Sequence, residues 1–418
     1  MTVRNSFAGD VLVVGGGPAG AATAWHLAAT GHRVTIVERA THPRHKVCGD
    51  LLTPRAVRAL ARIDIDNAAL APFHRVEHVR LTSGNKSTST RWPSHESFPR
   101  YGLIAPRDQV DQLMIDAAIA AGATVLDGHE ATAPIVERGF VRGAHVTDSA
   151  GSSSKVRAGF TVVADGANSR FGRSLGTFRQ PTWPYALAHR AIYRSAIHGA
   201  SEIELVVDLS DKAGTQITGY GWMFPRGDGT VNVGVSMMST SPSFRVVNPA
   251  HLLERFVAEH ADRWHLDLDP VEPPAGGRIP MGNSVGPAAG PTYLLVGDAG
   301  GVANPLSGAG IEYALETGLL AGEVLDEALR SGSAAALQRY PKLLADRYGA
   351  YYKVGRLASR ILGRPSVTRR VANLAATRPR VADAFVRISS NELRSHHTGT
   401  AELAYRLGHT ITLIAPDA

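Results

Sequence analysis

The sequence predicts an α/β protein with a parallel-sheet domain, a second domain built on a β-sheet, and a helical C-terminal segment. Residues 10–14 form a short apolar, β-branched run, which is typical of a buried parallel strand. Residues 185–240 contain strand-like runs separated by turn residues, and residues 337–410 read as basic helices. A chain of 418 residues has room for two or three domains of ordinary size.

The first parallel-sheet unit carries a glycine-rich turn between its first strand and its first helix. The turn at residues 15–20 fits the pattern G-x-G-x-x-G, an alanine-rich stretch follows, and the next strand ends at Glu38. In such a Rossmann-type unit the glycines let the backbone approach a pyrophosphate, and the acidic residue accepts hydrogen bonds from a ribose. This unit is therefore predicted to bind a dinucleotide. The candidate contact residues are Gly15, Gly17, Pro18, Ala19, Gly20, Glu38 and Arg39.

The composition indicates a globular protein and limits its environment. Hydrophobic residues make up 44% of the chain and charged residues 19%, so the chain can bury a core. The single cysteine cannot form an intrachain disulfide, and neither a secretory signal nor an apolar run of membrane-spanning length is visible. We expect a cytoplasmic protein.

Two further motifs follow the glycine-rich turn. Residues 164–170 read Ala-Asp-Gly-Ala-Asn-Ser-Arg, and residues 297–299 read Gly-Asp-Ala after a strand-like run. The order and spacing of the three motifs resemble the flavoprotein group typified by para-hydroxybenzoate hydroxylase. The resemblance implies a tightly bound, non-covalent FAD. It implies FAD contacts for Arg107, Asp165, Gly166, Asp298, Gly308, Gly310 and Ile311.

The helix expected to begin near Gly308 fits this assignment. Its N-terminal amides would face the flavin ring, where partial positive charge stabilises the anionic reduced flavin. Gly308 and Gly310 would allow the backbone to approach the ring closely. In this assignment Asp298 would accept hydrogen bonds from the ribityl hydroxyls.

A narrower resemblance is carried by two other segments. Residues 43–50 match the P-x-x-K-x-C-G signature of the geranylgeranyl reductase family, and residues 220–225 match its Y-x-W-x-F-P element. Within the family, the bacterial menaquinone reductases are the most similar group. The resemblance implies an FAD-dependent reductase that saturates a C=C bond in the prenyl tail of menaquinone or a geranylgeranyl lipid. NADPH or another reductant would supply electrons transiently, and Cys48, Gly49 and Asp50 would contact the flavin.

Three aromatic residues alternate along one predicted strand. Tyr220, Trp222 and Phe224 would therefore face the same side. An aromatic surface suits a prenyl chain and can stabilise cationic character through its π-faces. The same pattern is also typical of the core of a β-sheet. Tyr220 and Trp222 are predicted to be catalytic.

Cys48 is the third catalytic candidate. Its thiol could donate a proton, shape the pocket or pack against the flavin ring. The alternative is a small buried hydrophobic residue. Arg44 and Lys46 would lower the pKa of the thiol if they lie close to it.

The motifs divide the chain into three predicted regions. They are an FAD-binding domain (8–72, 101–180 and 285–335), a substrate-binding β-sheet domain (73–100 and 181–284) and a basic helical C-terminal region (336–418).

The basic C-terminal region suggests contact with a membrane. Residues 340–410 contain thirteen Lys and Arg residues and four acidic residues. Leu357, Ile361 and Leu362 are interleaved with arginines, a pattern that favours peripheral attachment to the anionic inner face of the cell membrane. The arginines in question are Arg356, Arg360 and Arg364. A solvated helical face is the alternative.

Other functions are less well supported by the sequence. His74 and His78 read as part of a strand without further ligands, so no metal is predicted. The G-x-S-x-G match at 282–286 lacks the strand–helix context of a nucleophile.

Two other flavoenzyme functions share the three motifs. They are an FAD-dependent aromatic hydroxylase and, third, a flavin-dependent halogenase. Nucleic-acid binding is not expected, since the basic region lacks interleaved aromatic residues.

Overall fold

In the computed structural model, which describes residues 6–394 and 397–414, strands and helices form two large sheets with helices packed on them. In chain order the strands are β1 (Ser6–Val14), β2 (Val34–Glu38), β3 (Leu51–Leu52), β4 (His74–Val76), β5 (His78–Ser83), β6 (Lys86–Arg91), β7 (Gly102–Ile104), β8 (Thr124–Asp127), β9 (His129–Glu137), β10 (Phe140–Asp148), β11 (Ser153–Val163), β12 (Phe178–Arg179), β13 (Tyr185–Arg194), β14 (Glu202–Val206), β15 (Gly219–Pro225), β16 (Thr230–Met238), β17 (Glu272–Pro280), β18 (Val285–Gly286) and β19 (Tyr293–Leu295).

The helices of these residues lie between the strands and after them. They are α1 (Pro18–Ala29), α2 (Pro54–Ala61), α3 (Asn67–Leu70), α4 (Arg107–Ala120), α5 (Arg170–Ser174), α6 (Pro249–Trp264), α7 (Ile311–Ser331), α8 (Tyr340–Leu344), α9 (Ala350–Leu362), α10 (Pro365–Thr377), α11 (Pro379–Ser389) and α12 (Thr400–Ile414). The predicted α/β class is confirmed.

The first sheet has the strand order β8-β2-β1-β11-β10-β9, and β19 pairs with the end of β11. Strands β2, β1, β11 and β19 run parallel, so their carboxyl ends meet at one edge. Helix α1 packs tightly on α7 there, because a Cβ atom on Gly318 would lie 2.3 Å from the Ala19 carbonyl oxygen. The glycine at this crossing therefore sets how closely the two helices approach.

The second sheet has the strand order β17-β13-β16-β15-β14-β5-β6. It is antiparallel except for the parallel pair β5 and β14. Helix α6 packs against β13 and β16, and helices α10 and α11 pack against β5 and β6. The strand-like runs predicted within residues 185–240 include β15 and β16, which pair as an antiparallel hairpin. The domain boundaries stay a prediction.

Single residues determine where two of the helices begin. Helix α2 begins after Thr53, whose side chain caps the helix by accepting a 3.2 Å hydrogen bond from the Ala56 amide. Helix α7 begins at Ile311 rather than near Gly308, because Gly308 has φ +75°, a left-handed conformation that a helix does not continue through.

Arg356 contradicts the predicted outward basic face of the C-terminal region. The residue is buried, its guanidinium carbon lies 3.9 Å from the Trp183 ring centroid, and Nη1 donates a 3.1 Å hydrogen bond to the Gly282 carbonyl. The expectation that this arginine faces a membrane is wrong, because the 183 and 282 loops cover this side of α9. Among the described helices, none has both the length and the apolar composition needed to cross a bilayer.

Candidate active site

The three predicted motifs meet at the carboxyl edge of the first sheet. They follow β1, β11 and β19, which are neighbouring parallel strands. A Cβ atom on Gly15 would lie 2.4 Å from the Ala164 carbonyl oxygen, and one on Gly297 would lie 2.8 Å from the Ala19 side chain. The predicted convergence of these motifs is confirmed.

The glycine-rich turn can only be built with glycine at two of its positions. Gly15 has φ +106°, and a Cβ atom on Gly20 would lie 2.0 Å from the Gly15 carbonyl oxygen. Gly17 is the N-cap of α1, Pro18 begins the helix, and the cap has no side-chain hydrogen bond. The N-terminus of α1 thus presents backbone amides at the edge of the sheet, as an anion site requires.

Glu38 and Arg44 lie next to the glycine-rich turn. The Glu38 carboxylate accepts hydrogen bonds from the Gly16 amide at 2.8 Å and the Ala40 amide at 3.0 Å. The Arg44 guanidinium lies 3.4 Å from the position of a Cβ atom on Gly17. Arg39, at the end of β2, has an exposed side chain. The turn therefore has an acidic group at the end of β2 and a cation above its amides.

Arg107 lies at the start of α4 and is held in place by buried partners. Its Nε and Nη2 donate to the two carboxylate oxygens of Asp111 at 2.7 and 2.8 Å. The positive charge of the guanidinium also acts on the Cys48 thiol. Asp111 is fully buried, and it also pairs with Arg44 at 3.1 Å. Arg107 therefore connects the loop that carries Cys48 (residues 43–50, the cysteine loop) to the carboxyl edge of the first sheet, which is the predicted nucleotide-binding edge.

The aspartate of the second motif has one free acceptor. Oδ2 of Asp165 accepts a 2.9 Å hydrogen bond from the Phe171 amide, whereas Oδ1 is buried and has no partner among the described residues. Burial raises the pKa of Asp165. Gly166 follows with φ +79°. An orphaned acceptor at the nucleotide-binding edge fits a ligand that carries hydroxyl or amide donors.

The third motif lies in a short turn of 3₁₀ helix at Gly297–Gly300, next to the N-terminus of α7. Burial raises the pKa of Asp298, and the positive charges of Lys46 and Arg107 act against that rise. The position of a Cβ atom on Gly310 lies 3.6 Å from Asp298 Oδ1. Gly310 is the N-cap of α7 and has no side chain that could cap the helix. The first backbone amides of α7, around Ile311, are therefore left uncapped on the side of the helix where Asp298 lies.

The charges and acceptors of this edge fit FAD. A cation and helix amides at the glycine turn match a pyrophosphate, Glu38 matches a ribose, and the orphaned Asp165 oxygen matches a donor group. The second helix N-terminus, at Gly310, matches the electron-rich edge of a flavin ring.

The three aromatic residues of β15 form a continuous row. The ring centroids of Tyr220 and Trp222 are 6.0 Å apart, as are those of Trp222 and Phe224, so the predicted shared face is confirmed. Trp222 and Phe224 are each 5% exposed, and they pack in a core cluster with side chains of α10 and α11. Tyr220 is partly buried. The three aromatic side chains therefore form part of the hydrophobic core and also line the side of the site next to the cysteine loop.

The Cys48 loop lies directly against this aromatic row. A Cβ atom on Gly49 would lie 3.3 Å from the Phe224 ring and 3.5 Å from the Trp222 indole nitrogen. Burial raises the pKa of the Cys48 thiol, and Arg107 only partly offsets that rise. The condition under which Arg44 would lower this pKa is not met, because Arg44 pairs with Asp111 instead.

Comparisons with known proteins agree with this arrangement. A family model described as an FAD binding domain matches residues 8–191, and one described as the geranylgeranyl reductase catalytic domain matches residues 213–268. The menaquinone reductase of Mycobacterium tuberculosis is 35% identical to this chain over 91% of each protein. The chain belongs to the geranylgeranyl reductase family of FAD-dependent oxidoreductases.

Other members of this family and solved structures extend the match. The digeranylgeranylglycerophospholipid reductase of Thermoplasma acidophilum is 29% identical over 81% of this chain and 84% of its own length. A solved geranylgeranyl bacteriochlorophyll reductase-like protein from the same organism has a TM-score of 0.76 at 24% identity, covering 88% of this chain and 92% of its own. A flavin-dependent brominase has a TM-score of 0.73 at 17% identity, covering 97% and 98%. These two likenesses concern the fold.

Several site residues of this family member were not singled out from the sequence. Asn232 joins the aromatic row to the cysteine loop, Asp111 orients Arg107, and Ser307 accepts a hydrogen bond from Tyr220. A signal existed for Asp111, since it lies four residues after Arg107 on one helix. Asn232 and Ser307 carry no such local signal.

Proposed function

We propose that this chain is an FAD-dependent reductase that saturates an isoprenoid C=C bond in the prenyl tail of menaquinone or of a geranylgeranyl lipid. The similarity to a menaquinone reductase over nine-tenths of the chain supports the reaction class. The observation that carries the proposal is the position of the aromatic row beside the residues that fit FAD. A Cβ atom on Gly49 would lie within 3.5 Å of this row.

The chemistry of the substrate explains these surroundings. An isolated prenyl double bond is not polarised, so a hydride adds to it only when a proton is delivered and positive charge is stabilised. Bound FAD in its reduced form supplies the hydride. The chain excludes water, aligns the prenyl group and presents the π-faces of Tyr220 and Trp222 to developing positive charge.

The proposed FAD contacts follow the geometry of the sheet edge. The glycine turn and Arg44 would hold the pyrophosphate, Glu38 and Arg39 the adenosine, and Asp298 the ribityl chain. Arg107, Asp165 and Gly166 would complete the nucleotide side. Cys48, Gly49, Asp50, Gly308, Gly310 and Ile311 would surround the flavin ring.

The electron donor is proposed to bind transiently. The one G-x-G-x-x-G turn of the sequence is assigned to FAD, which leaves no second motif of this kind for a resident nicotinamide. NADPH or another reductant would therefore reduce FAD in a short-lived encounter.

Peripheral membrane contact is proposed for the C-terminal helices, and α12 is the best-suited surface. Leu403, Leu407 and Ile411 follow one another at four-residue intervals and are exposed, as is Leu413, at 72%. Arg406 lies exposed on the same helix. Exposed apolar and basic side chains on one helix are what an interfacial helix needs.

Mass spectrometry of lipid extracts from cells with and without the gene tests the proposed reaction. The proposal predicts a prenylquinone or prenyl lipid that is about two mass units heavier when the gene is present. A gain of about sixteen mass units on an aromatic compound would instead identify a hydroxylase. Unchanged prenyl lipids would contradict the proposal.

A further inference from the structure

Asp50 ends the cysteine loop with its side chain buried beside the second sheet. The residue is 4% exposed and has φ +63°, in the left-handed region that glycine, asparagine and aspartate adopt more readily than other residues. Its carbonyl accepts a 2.8 Å hydrogen bond from the Ala105 amide, which fixes the backbone. An acidic group is thus held by a fixed backbone at a site where its solvation is lost.

Asn232 connects this carboxyl group to the aromatic row. Its Nδ2 donates 2.9 Å hydrogen bonds to Asp50 Oδ2 and to the Cys48 carbonyl, while its Oδ1 accepts a 3.0 Å hydrogen bond from the Trp222 indole. The contact of Asp50 with the Arg226 guanidinium, at 4.0 Å, also falls on Oδ2. A proton on Oδ1 therefore breaks neither interaction.

The surroundings of Asp50 place the pKa of its carboxyl group near neutrality. Burial raises the pKa of Asp50 to about 6, although the hydrogen bond from Asn232 and the positive charges of Arg226, Arg190 and Arg107 act in the opposite direction. The neighbouring Cys48 thiol stays protonated, since burial raises its pKa. A carboxyl group with a pKa near neutrality can both release and regain a proton in each catalytic cycle.

Polar groups lead from this carboxyl to the surface. Arg226 lies 3.7 Å from Glu272, and Glu272 lies 3.9 Å from His45, whose side chain is 62% exposed. Arg190 also contacts both Glu272, at 2.7 Å, and His45, at 3.3 Å. Water along these groups can return a proton to Asp50 after each turnover.

The other hydroxyl and thiol groups at the site are less suited to donate a proton. The Tyr220 hydroxyl already donates to the Ser307 carbonyl at 2.6 Å, and burial raises the pKa of this phenol. Burial also raises the pKa of the Cys48 thiol, and the positive charge of Arg107 offsets that rise only in part. Asp50 is the most acidic of the three.

We propose that Asp50 is the general acid of the reduction and that Asn232 is the residue that positions it. The inference rests on the proposed function. The π bond of the alkene breaks and two C–H bonds form: the hydride brings one hydrogen with both electrons, and the Asp50 carboxylic acid brings the other hydrogen as a proton. Reduced FAD ends oxidised and Asp50 ends as a carboxylate, which solvent reprotonates.

Asp50→Asn is the decisive variant. Asparagine keeps the shape, tolerates the left-handed conformation and can accept the same hydrogen bond from Asn232, but it has no acidic proton. Asp64→Asn is a matched control, because Asp64 is also in the left-handed region, with φ +62°, but its side chain is exposed. Asn232→Ala removes the positioning hydrogen bonds while leaving the acid.

The reaction is followed in a single turnover without oxygen. Each FAD-reconstituted protein is reduced with a stoichiometric amount of dithionite and mixed with menaquinol in detergent, whose reduced ring cannot accept the electrons. Return of oxidised flavin absorbance and the mass of the lipid are recorded across a range of pH. Flavin reduction by dithionite serves as the readout that does not involve Asp50.

The proposal predicts a specific pattern of rates. Wild type and Asp64→Asn should slow about tenfold per pH unit above about pH 6, because the acid must be protonated. Asp50→Asn should bind FAD and be reduced normally, but should reoxidise about a hundredfold more slowly, with no dependence on pH in that range. Asn232→Ala should lose rate and still show the pH dependence.

Other results would overturn the assignment. A wild-type rate in Asp50→Asn, or a slow rate with the pH dependence retained, would show that Asp50 only fixes the loop. If Asp50→Asn does not hold FAD, the wild type still decides: a rate that is flat above pH 6 and insensitive to D₂O rules the acid out. A wild type that forms no saturated lipid refutes the proposed function itself, which is a different outcome.

Discussion

The Tyr220 hydroxyl donates a 2.6 Å hydrogen bond to the Ser307 carbonyl oxygen. Tyr220 belongs to β15 of the second sheet, whereas Ser307 belongs to the loop that leads to the N-terminus of α7. Asn304 holds the other end of that loop, since its Oδ1 accepts a 2.9 Å hydrogen bond from the Leu306 amide. The hydrogen bond therefore links the aromatic row to the helix end that is assigned to the flavin.

Tyr220→Phe should break the link between the aromatic row and the N-terminus of α7. The variant leaves the Ser307 carbonyl without this donor, a loss of about 1–3 kcal/mol, and we expect about a tenfold lower kcat/KM for the prenyl substrate. Tyr101→Phe is the control, because its hydroxyl makes a 3.4 Å exposed contact with Asn67. Equal steady-state kinetics for the two variants would contradict this role.

Gly234→Ala should disturb the aromatic row directly. Its new Cβ atom would lie 2.1 Å from the Trp222 ring, so the ring must move. Overpacking of this kind costs about 1–3 kcal/mol, and we expect a melting temperature several degrees lower together with loss of prenyl reduction. Gly277→Ala, on β17, meets no atom within 4 Å and should behave like the wild type. Thermal melts that do not separate the two variants would be inconsistent with this packing.

Gly318→Ala should weaken FAD binding from outside the site. A Cβ atom there would lie 2.3 Å from the Ala19 carbonyl oxygen, which forces α1 and α7 apart beneath the glycine turn. We expect about tenfold weaker FAD affinity, measured by fluorescence titration of the apoprotein. Gly349→Ala has its nearest atom at 3.9 Å and serves as the control. Unchanged affinity in Gly318→Ala would exclude this coupling.

Glu392 should make the protein less stable as pH rises. It is fully buried, neither carboxylate oxygen has a hydrogen-bond partner among the described residues, and burial raises the pKa of Glu392 to about 8. Since the unfolded chain releases this proton near the ordinary value of 4.5, the folded state binds more protons between these two pH values. This group therefore lowers stability by about 1.4 kcal/mol per pH unit in that interval, and no further above it.

Glu392→Gln removes the ionisation and should reduce the loss of melting temperature between about pH 5 and pH 8. Glu130→Gln removes an exposed acid and should follow the wild type in the same calorimetric series. Parallel curves for Glu392→Gln and Glu130→Gln would show that Glu392 has an ordinary pKa.

Leu407→Asp should reduce binding to anionic membranes. The substitution places a negative charge in the middle of the exposed apolar stripe on α12, and we expect at least a tenfold loss in flotation with anionic liposomes. Val246→Asp is the control, because Val246 is 83% exposed but lies in the segment before α6. Equal flotation of both variants, or binding indifferent to lipid charge, would reject α12 as the contact surface.

Local sequence patterns predicted the elements that depend on neighbouring residues. The glycine turn and the alternation in β15 follow from short-range rules of backbone conformation and side-chain direction. The convergence of the three motifs also followed, because parallel strands bring their carboxyl ends to one edge. These features need no knowledge of distant contacts.

The contacts that complete the site depend on the tertiary structure. Asn232 and Cys48 are 184 residues apart, and Tyr220 and Ser307 are 87 apart, so no local pattern pairs them. The sequence also left the direction of the Cys48 pKa open, because counting basic neighbours says nothing about burial, which raises this pKa. The prediction that Arg356 is exposed was wrong for a related reason. Helical periodicity places this residue on an open face of the helix, but Trp183 covers that face.

The most direct test of the account is a single-turnover reaction of the FAD-reconstituted, reduced wild-type protein with menaquinol in the absence of oxygen. The account predicts that oxidised flavin appears in step with a lipid about two mass units heavier, with the new hydrogens on one prenyl unit. A protein that binds no FAD, or a flavin that stays reduced until oxygen is admitted while the prenyl tail is unchanged, would contradict it.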